Sequence, residues 1–305
     1  MFEKINGLIA AVHTPMDRGC GLRLELVVKQ AELLARNGLA GAFVCGTAGE
    51  SMSLTVQERM AVAEQWAKTA PKGIKVIVHV GHTSADEART MAAHAQKVGA
   101  WGTAALAPFY FKPADAAGLS AFCAAVASGA PELPFYYYHI PSMTGVTIKV
   151  FDFLRAAGAS IPNLAGVKFT DSDFMDLALS ADLDGGRYEI LNGWDEMLIC
   201  GLAAGAGGAV GGTYNFAAPL YLKLMEAFRA GDMDGARRLQ VKSGMMIDCV
   251  RRSSAASLAC FKAMMRMVGL DLGPVRSPVA KITEDQFSQL QAELKKIGFS
   301  EFCCK

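Results

Sequence analysis

Lys168 stands inside an apolar run, Leu164-Ala165-Gly166-Val167-Lys168-Phe169, where a charged residue needs a reason. The run has the composition and length of a buried strand. Residues two apart on a strand share a face, so Lys168 and Thr170 point the same way. If that face looks into a covered interior, the amine is desolvated, its neutral form is favoured, and it can attack a carbonyl carbon. The structural alternative is a strand-end lysine snorkelling to water. A second segment, Phe135-Tyr136-Tyr137-Tyr138-His139-Ile140-Pro141, ends another strand in three phenols. One of them next to Lys168 could relay protons, while adjacent tyrosines also serve as packing residues. In Gly46-Thr47-Ala48-Gly49-Glu50, two glycines permit close backbone approach and Thr47 adds a hydroxyl beside exposed amides. That combination suits a carboxylate or phosphate, and equally suits an ordinary turn. Asn192-Gly193-Trp194-Asp195-Glu196 places two acids at a helix start, either as dipole partners or as a pair for binding a polyol. His79 and His82 flank Gly81, but no acidic residue lies in the same short segment to complete a metal site. His139 reads as a hydrogen-bonded strand-end residue rather than a ligand.

These residues have to be positioned by strands. Apolar runs bounded by turn residues occur at 8–12, 42–45, 75–80, 103–107, 135–138, 165–169, 188–191 and 209–211. Most are continuously apolar, as expected of parallel strands covered on both faces. Stretches with helical spacing separate them, and Thr55 with Glu58 and Ser84 with Glu87 match the capping box. Strand and helix therefore alternate. The repetition predicts an α/β fold, a (β/α)8 TIM barrel over residues 1–230, with a doubly wound open sheet as the alternative. Residues 231–305 contain no further strand and predict a C-terminal helical extension packed on the barrel, with helices over 232–250, 255–268 and 283–297. Residues 269–278, GLDLGPVRSP, form an extended linker whose prolines stop helix continuation. In a barrel the active site lies at the carboxyl ends of the strands, where every candidate above falls.

Composition narrows the partner. Among 305 residues, 30 Lys+Arg balance 29 Asp+Glu for a net charge of +1, which argues against nucleic acid or an anionic membrane surface and for a small molecule. With 52% hydrophobic and 19% charged residues the chain can bury a large core. Residues 197–222 carry no charge, but their glycines, Asn215 and Pro219 predict a buried helix, strand and loop instead of a membrane span. Eight scattered cysteines without C-x-x-C spacing read as reduced thiols, and with no signal-peptide pattern at the start they predict a cytoplasmic protein. Cys303 and Cys304 read as part of a frayed end.

Taken together, Gly46-Thr-Ala-Gly-Glu50, Tyr138-His-Ile-Pro141, Gly166-Val-Lys-Phe-Thr170 and Gly193-Trp-Asp-Glu196, in this order and spacing, resemble the dihydrodipicolinate synthase and N-acetylneuraminate lyase superfamily of class I aldolases. The likeness extends over almost the whole chain, including GGAVGGTYN at 207–215 and the helical tail, and is greatest toward the lyase branch. It implies cleavage of N-acetylneuraminate to N-acetylmannosamine and pyruvate, with no metal or organic cofactor. Lys168 is then the Schiff-base lysine, Tyr138 the proton-shuttling phenol, and the turn from Thr47 through Ala48 to Gly49 the cradle for the pyruvyl carboxylate. Thr170, Gly193, Asp195, Glu196 and Gly212 would face the sugar-derived portion. Tyr110 matches a position that reaches across a subunit interface, implying a homotetramer.

Met143 separates the chain from the synthases, which carry an arginine there for a second carboxylate that a thioether cannot pair. Two departures concern the substrate. Ala48 replaces a second hydroxyl residue, and Gly212 replaces a serine expected near the polyol tail. They leave room for another 2-keto sugar acid, cleaved or dehydrated. A catalytically idle sugar-acid-binding protein is the alternative of a different class, disfavoured by retention of both Lys168 and Tyr138.

Overall fold

Strands without polar alternation need cover on both faces, and all eight expected segments are strands covered in that way. In a computed structural model that describes residues 2–305, they are β1 (Leu8–Ala11), β2 (Gly41–Val44), β3 (Lys75–His79), β4 (Gly102–Leu106), β5 (Phe135–His139), β6 (Leu164–Phe169), β7 (Glu189–Asn192) and β8 (Gly208–Gly211). They are parallel and close in sequence order, β8 pairing with β1. The open-sheet alternative is thereby excluded.

The helices between them are α1 (Leu26–Arg36), α2 (Val56–Thr69), α3 (Ala85–Lys97), α4 (Ala116–Ala127), α5 (Pro141–Thr144), α6 (Val150–Ala157), α7 (Phe174–Gly186), α8 (Leu198–Ala203) and α9 (Tyr214–Arg229). Thr55 forms the full capping box with Glu58. Ser84 forms only half of one: its side chain accepts the Glu87 amide, and no return bond reaches the Ser84 amide from the Glu87 carboxylate. The uncharged stretch is α8, β8 and the start of α9, as its glycines and proline require. No helix among the described residues is long and apolar enough to cross a membrane.

Strand alternation divides the core in two. Ile9, Phe43, Ile77, Leu106, Tyr136 and Tyr138 cluster inside the barrel, whereas Leu8, Val44, Val78, Tyr137 and Val167 face the helices. The three tyrosines are separated by this alternation. Tyr137 packs on Phe153 with ring centroids 4.5 Å apart, and the Tyr136 hydroxyl donates to Glu189 at 2.7 Å.

Glu189 is buried where β7 begins, its other oxygen accepting the Ile5 amide. Burial pushes its carboxyl up to about 7. The folded state then holds a proton that the unfolded chain releases near pH 4.5, so this group's contribution to stability falls as pH rises from there through 7. Glu189→Gln should therefore gain roughly 2–3 kcal/mol over the native chain at pH 8 and little at pH 4. Urea unfolding at the two pH values measures this, and an equal change at both would remove the assignment.

After α9 come α10 (Met233–Arg252), α11 (Ser257–Met267) and α12 (Glu284–Lys296), with α10 packed along α9. Residues 269–278 are extended, as expected, but form a strap more than a linker. Leu272 and Val275 are buried and the Leu272 carbonyl accepts the Met16 amide. The expectation of a frayed end is overturned. Phe302 and Cys304 are buried, and the Cys304 amide donates to the Phe216 carbonyl at 2.7 Å. An apolar Phe299/Phe302 pair behind the two cysteines provides the contact energy that a polar tail lacks. All eight cysteines are free thiols.

Candidate active site

The β5–β6 pairing sets Tyr138 directly opposite Lys168, and β7 sets Leu191 on its other side. Lys168 points into the barrel and is 4% exposed. Its ammonium nitrogen lies 3.9 Å from the Tyr138 ring centre and 4.5 Å from that of Phe43. The snorkelling alternative is thus excluded, because the amine ends among aromatic faces instead of in water. The Tyr138 hydroxyl is 3.3 Å from the Thr47 hydroxyl. An amine, a phenol and an alcohol from β6, β5 and the β2 loop therefore converge at one end of the barrel.

They open into a cavity of about 750 Å³ at the carboxyl ends of the strands. Thr47, Ala48, Tyr138, Lys168, Gly193, Asp195, Glu196 and Gly212 all line it. Three expected residues do not: Gly49 of the carboxylate turn, Thr170 and Tyr110. Thr170 lies beneath Gly193, where a Cβ would come within 2.0 Å of its hydroxyl oxygen, and that hydroxyl is buried without a partner. Tyr110 is 77% exposed and stacks edge-on against the equally exposed Phe111.

The loop at 46–50 leaves donors free. The amides of Gly49, Glu50 and Ser51 bond to the carbonyls of Gly46 and Thr47, whereas those of Thr47 and Ala48 have no acceptor among the described residues. His13 Nδ1 donates to the Ala48 carbonyl at 3.1 Å and the Thr14 hydroxyl to the Gly49 carbonyl at 2.7 Å. Burial pulls His13 down to about 4, so near neutral pH it is an uncharged donor. Both residues follow β1, and the rule that strand ends carry the site would have found them.

Asp195 is buried beside Gly211, whose missing side chain leaves its carboxylate room: a Cβ there would lie 1.8 Å from Oδ1. Asp195 Oδ2 accepts from the amide and hydroxyl of Thr213, at 2.9 and 2.6 Å, while Oδ1 has no partner. Burial raises this carboxyl to about 6. Glu196 is more open and pairs with Arg251 of α10 at 2.8 Å, a contact invisible in the local motif because 55 residues separate them. Phe261 fills the region beside Gly212, its ring edge 3.2 Å from where a Cβ would stand.

The histidine pair at β3 is divided. His79 Nδ1 donates to the Cys45 carbonyl at 2.9 Å and Nε2 accepts the Leu106 amide at 3.3 Å. Burial, reinforced by nearby Arg59, holds it well below the ordinary histidine range. Both nitrogens are already used in joining neighbouring strands. His82 Nδ1 accepts the Ser84 amide. His139 Nε2 lies 3.4 Å from Asp171 Oδ2, and its Nδ1 is buried without a partner among the described residues, so the expected hydrogen-bonded strand end is met at most on one side of the ring.

The sequence pattern of the Dihydrodipicolinate synthetase family matches residues 4–297. The chain belongs to that family. Among curated relatives, N-acetylneuraminate lyase from Rattus norvegicus is 36% identical over 304 residues, 98% of this chain and 95% of that protein. The solved structure of Proteus mirabilis N-acetylneuraminate lyase superposes with a TM-score of 0.94 at 37% identity, covering 97% of this chain and all of the other. A Ruminococcus gnavus sialic acid aldolase, solved as its catalytic lysine mutant, gives a TM-score of 0.91 at 29% identity, with 98% of each chain covered. For this member of the family, the likeness runs over nearly the whole chain.

Proposed function

We propose that the protein is an N-acetylneuraminate lyase, a class I aldolase that reversibly cleaves N-acetylneuraminate to N-acetylmannosamine and pyruvate. The observation that carries the reading is the convergence of Lys168, Tyr138 and Thr47 at one barrel mouth, in a chain similar over its full length to N-acetylneuraminate lyases. The catalytic lysine of the Ruminococcus gnavus aldolase supports giving Lys168 the same office.

Lys168 Nζ attacks the C2 ketone of the open-chain sugar acid, and the Tyr138 phenol gives its proton to the departing hydroxyl, leaving an iminium, a water molecule and a phenolate. This cation draws in the electron pair of the breaking C3–C4 bond, turning one difficult step into easier ones. The C4 hydroxyl proton passes to this phenolate, directly or through the substrate carboxylate, and the aldehyde of N-acetylmannosamine departs. The remaining enamine takes that proton at C3, which restores the iminium and the phenolate, and water then adds at C2, returns a proton to the phenolate and releases pyruvate from Lys168. Throughout, the Thr47 hydroxyl and the free amides of Thr47 and Ala48 hold the pyruvyl carboxylate. Asp195, Glu196, Gly193 and Gly212 border the sugar portion, with Thr170 supporting Gly193 from below. All of this is chemistry of the chain's own side chains, with no organic cofactor or metal called on.

The carboxylate site carries its own prediction. Ala48 offers a backbone donor but no hydroxyl, so Ala48→Ser should lower the half-saturating pyruvate concentration about 2- to 10-fold, the worth of one hydrogen bond. An unchanged or raised value would place the carboxylate elsewhere. Tyr110 and Phe111, prominently exposed, support assembly into a homotetramer in which Tyr110 meets a neighbouring copy. Light scattering on the native chain and Tyr110→Ala reads this out, a monomer in both arguing against it.

The reading as a whole is tested by intact-mass spectrometry after incubation with N-acetylneuraminate and borohydride, with a parallel pyruvate sample and peptide mapping. A pyruvyl-sized adduct on Lys168 from the sugar acid is expected. Labelling by pyruvate alone would keep the imine and change the substrate, and no adduct from either would end the Schiff-base reading.

A further inference from the structure

The proposed chemistry leaves unused a charge pair sealed from water. Glu50 closes the loop at 46–50. Its side chain is 1% exposed, and Lys262 Nζ, from α11 and 2% exposed, stands 2.8 Å from Oε1. Oε2 accepts the Arg276 amide of the strap at 2.7 Å, from 226 residues further along the chain. Lys262 also donates to the Pro274 carbonyl at 2.7 Å. The Arg276 guanidinium in turn grips Glu58 of α2 through two bonds of 2.6 and 2.8 Å and the carbonyls of Cys20 and Ser53. One carboxylate thus ties the loop that carries Thr47 to α11 and the strap.

Burying two ions takes them from water at a cost that an apolar pair of equal volume avoids, so stability alone does not account for Glu50 and Lys262. A directional contact does what an apolar one cannot: it holds one backbone conformation against alternatives. The loop needs such holding. It is bracketed by Cys45 at φ +56° and Glu50 at φ +61°, left-handed conformations unfavourable for residues with side chains. Strain of this kind persists only where the surroundings impose it.

We propose that Glu50, Lys262 and Arg276 are positioning residues: the C-terminal extension holds the left-handed turn at Glu50 and thereby sets the Thr47 hydroxyl and the amides of Thr47 and Ala48 toward the carboxylate next to the carbonyl that Lys168 attacks. The proposal rests on the imine reading above. The carboxylate site is then completed by the extension and is not a property of the barrel alone.

The test is a pyruvate titration with borohydride trapping and mass detection, run on the native chain, Lys262→Met, Glu50→Gln and the double variant, each with a thermal melt. Each single variant should raise half-saturating pyruvate about tenfold, as expected for misplacing charge-assisted donors, while saturating pyruvate still labels Lys168. The double variant removes both buried charges, so it should regain thermal stability yet keep the raised half-saturation. Because that split is absent from a merely structural role, a stable double variant with native half-saturation would overturn the proposal. Should these variants fail to fold, Glu58→Gln serves: it retains the capping box, weakens the grip on Arg276 and should raise half-saturation severalfold, native half-saturation again overturning the idea. No adduct on the native chain would overturn the imine reading together with this one, whereas a native adduct with unmoved half-saturation in the variants overturns this one alone.

Discussion

Lys168→Ala abolishes turnover and borohydride labelling together, with kcat/KM falling by about four orders of magnitude or more, as removal of a covalent nucleophile does. The amine is held against the rings of Tyr138 and Phe43, and among the described residues no other lysine lines the cavity to take its place. Lys168→Arg should be equally inactive, since a guanidinium retains the charge and forms no imine. Binding is the informative contrast. Calorimetry should still detect weak pyruvate association with Lys168→Ala, because the carboxylate loop remains intact. Release of N-acetylmannosamine at the native rate by this variant would end the proposed role, and a native protein that binds the sugar acid without cleaving it would restore the idle-binder alternative.

Tyr138→Phe should lower kcat by about 10²- to 10³-fold, within the range for loss of a positioned acid–base group. The ring stays in place, so the aromatic contact to Lys168 and the packing against Phe43 persist and imine trapping by pyruvate continues. What goes is the hydroxyl 3.3 Å from that of Thr47 and, with it, the route for the proton between the C4 oxygen and C3. Exchange of the pyruvate methyl protons with heavy water, followed by NMR, isolates that step. It should slow as much as cleavage does. Fast exchange in Tyr138→Phe would assign the proton to another group.

Both predictions concern residues visible before any fold was drawn, and the reason is physical. A lysine in a continuous apolar strand is costly unless used, so Lys168 stands out from its neighbours, as do the glycines and Thr47 of the carboxylate turn. The eight apolar runs likewise dictated strands wherever they occurred, because strand burial on two faces leaves a local compositional trace. Ser84 shows where local pattern stops: the spacing of a capping box is present, but only one of its two bonds forms. The tail shows the same limit. Cys303 and Cys304 carry no pattern of their own, and the burial of Cys304 follows from Phe299 packing on Phe216 of α9, with Phe302 against Phe299.

Motifs and periodicity by themselves marked out the candidate nucleophile, the phenol's short list of three, the candidate carboxylate turn and a strand–helix alternation open to either a barrel or an open sheet. Choosing Tyr138 from composition alone was impossible, since three adjacent phenols are chemically alike; strand alternation turns Tyr137 outward, and the register sets Tyr138 opposite Lys168 while Tyr136 bonds to Glu189. Tertiary structure alone decided the contacts made at long range: Glu196 with Arg251, Phe261 beside Gly212, His13 beneath Ala48, and Lys262 with Arg276 around Glu50. Each joins residues with no shared local pattern, and hydrogen bonds and ion pairs act over a few ångströms of space irrespective of the chain between them.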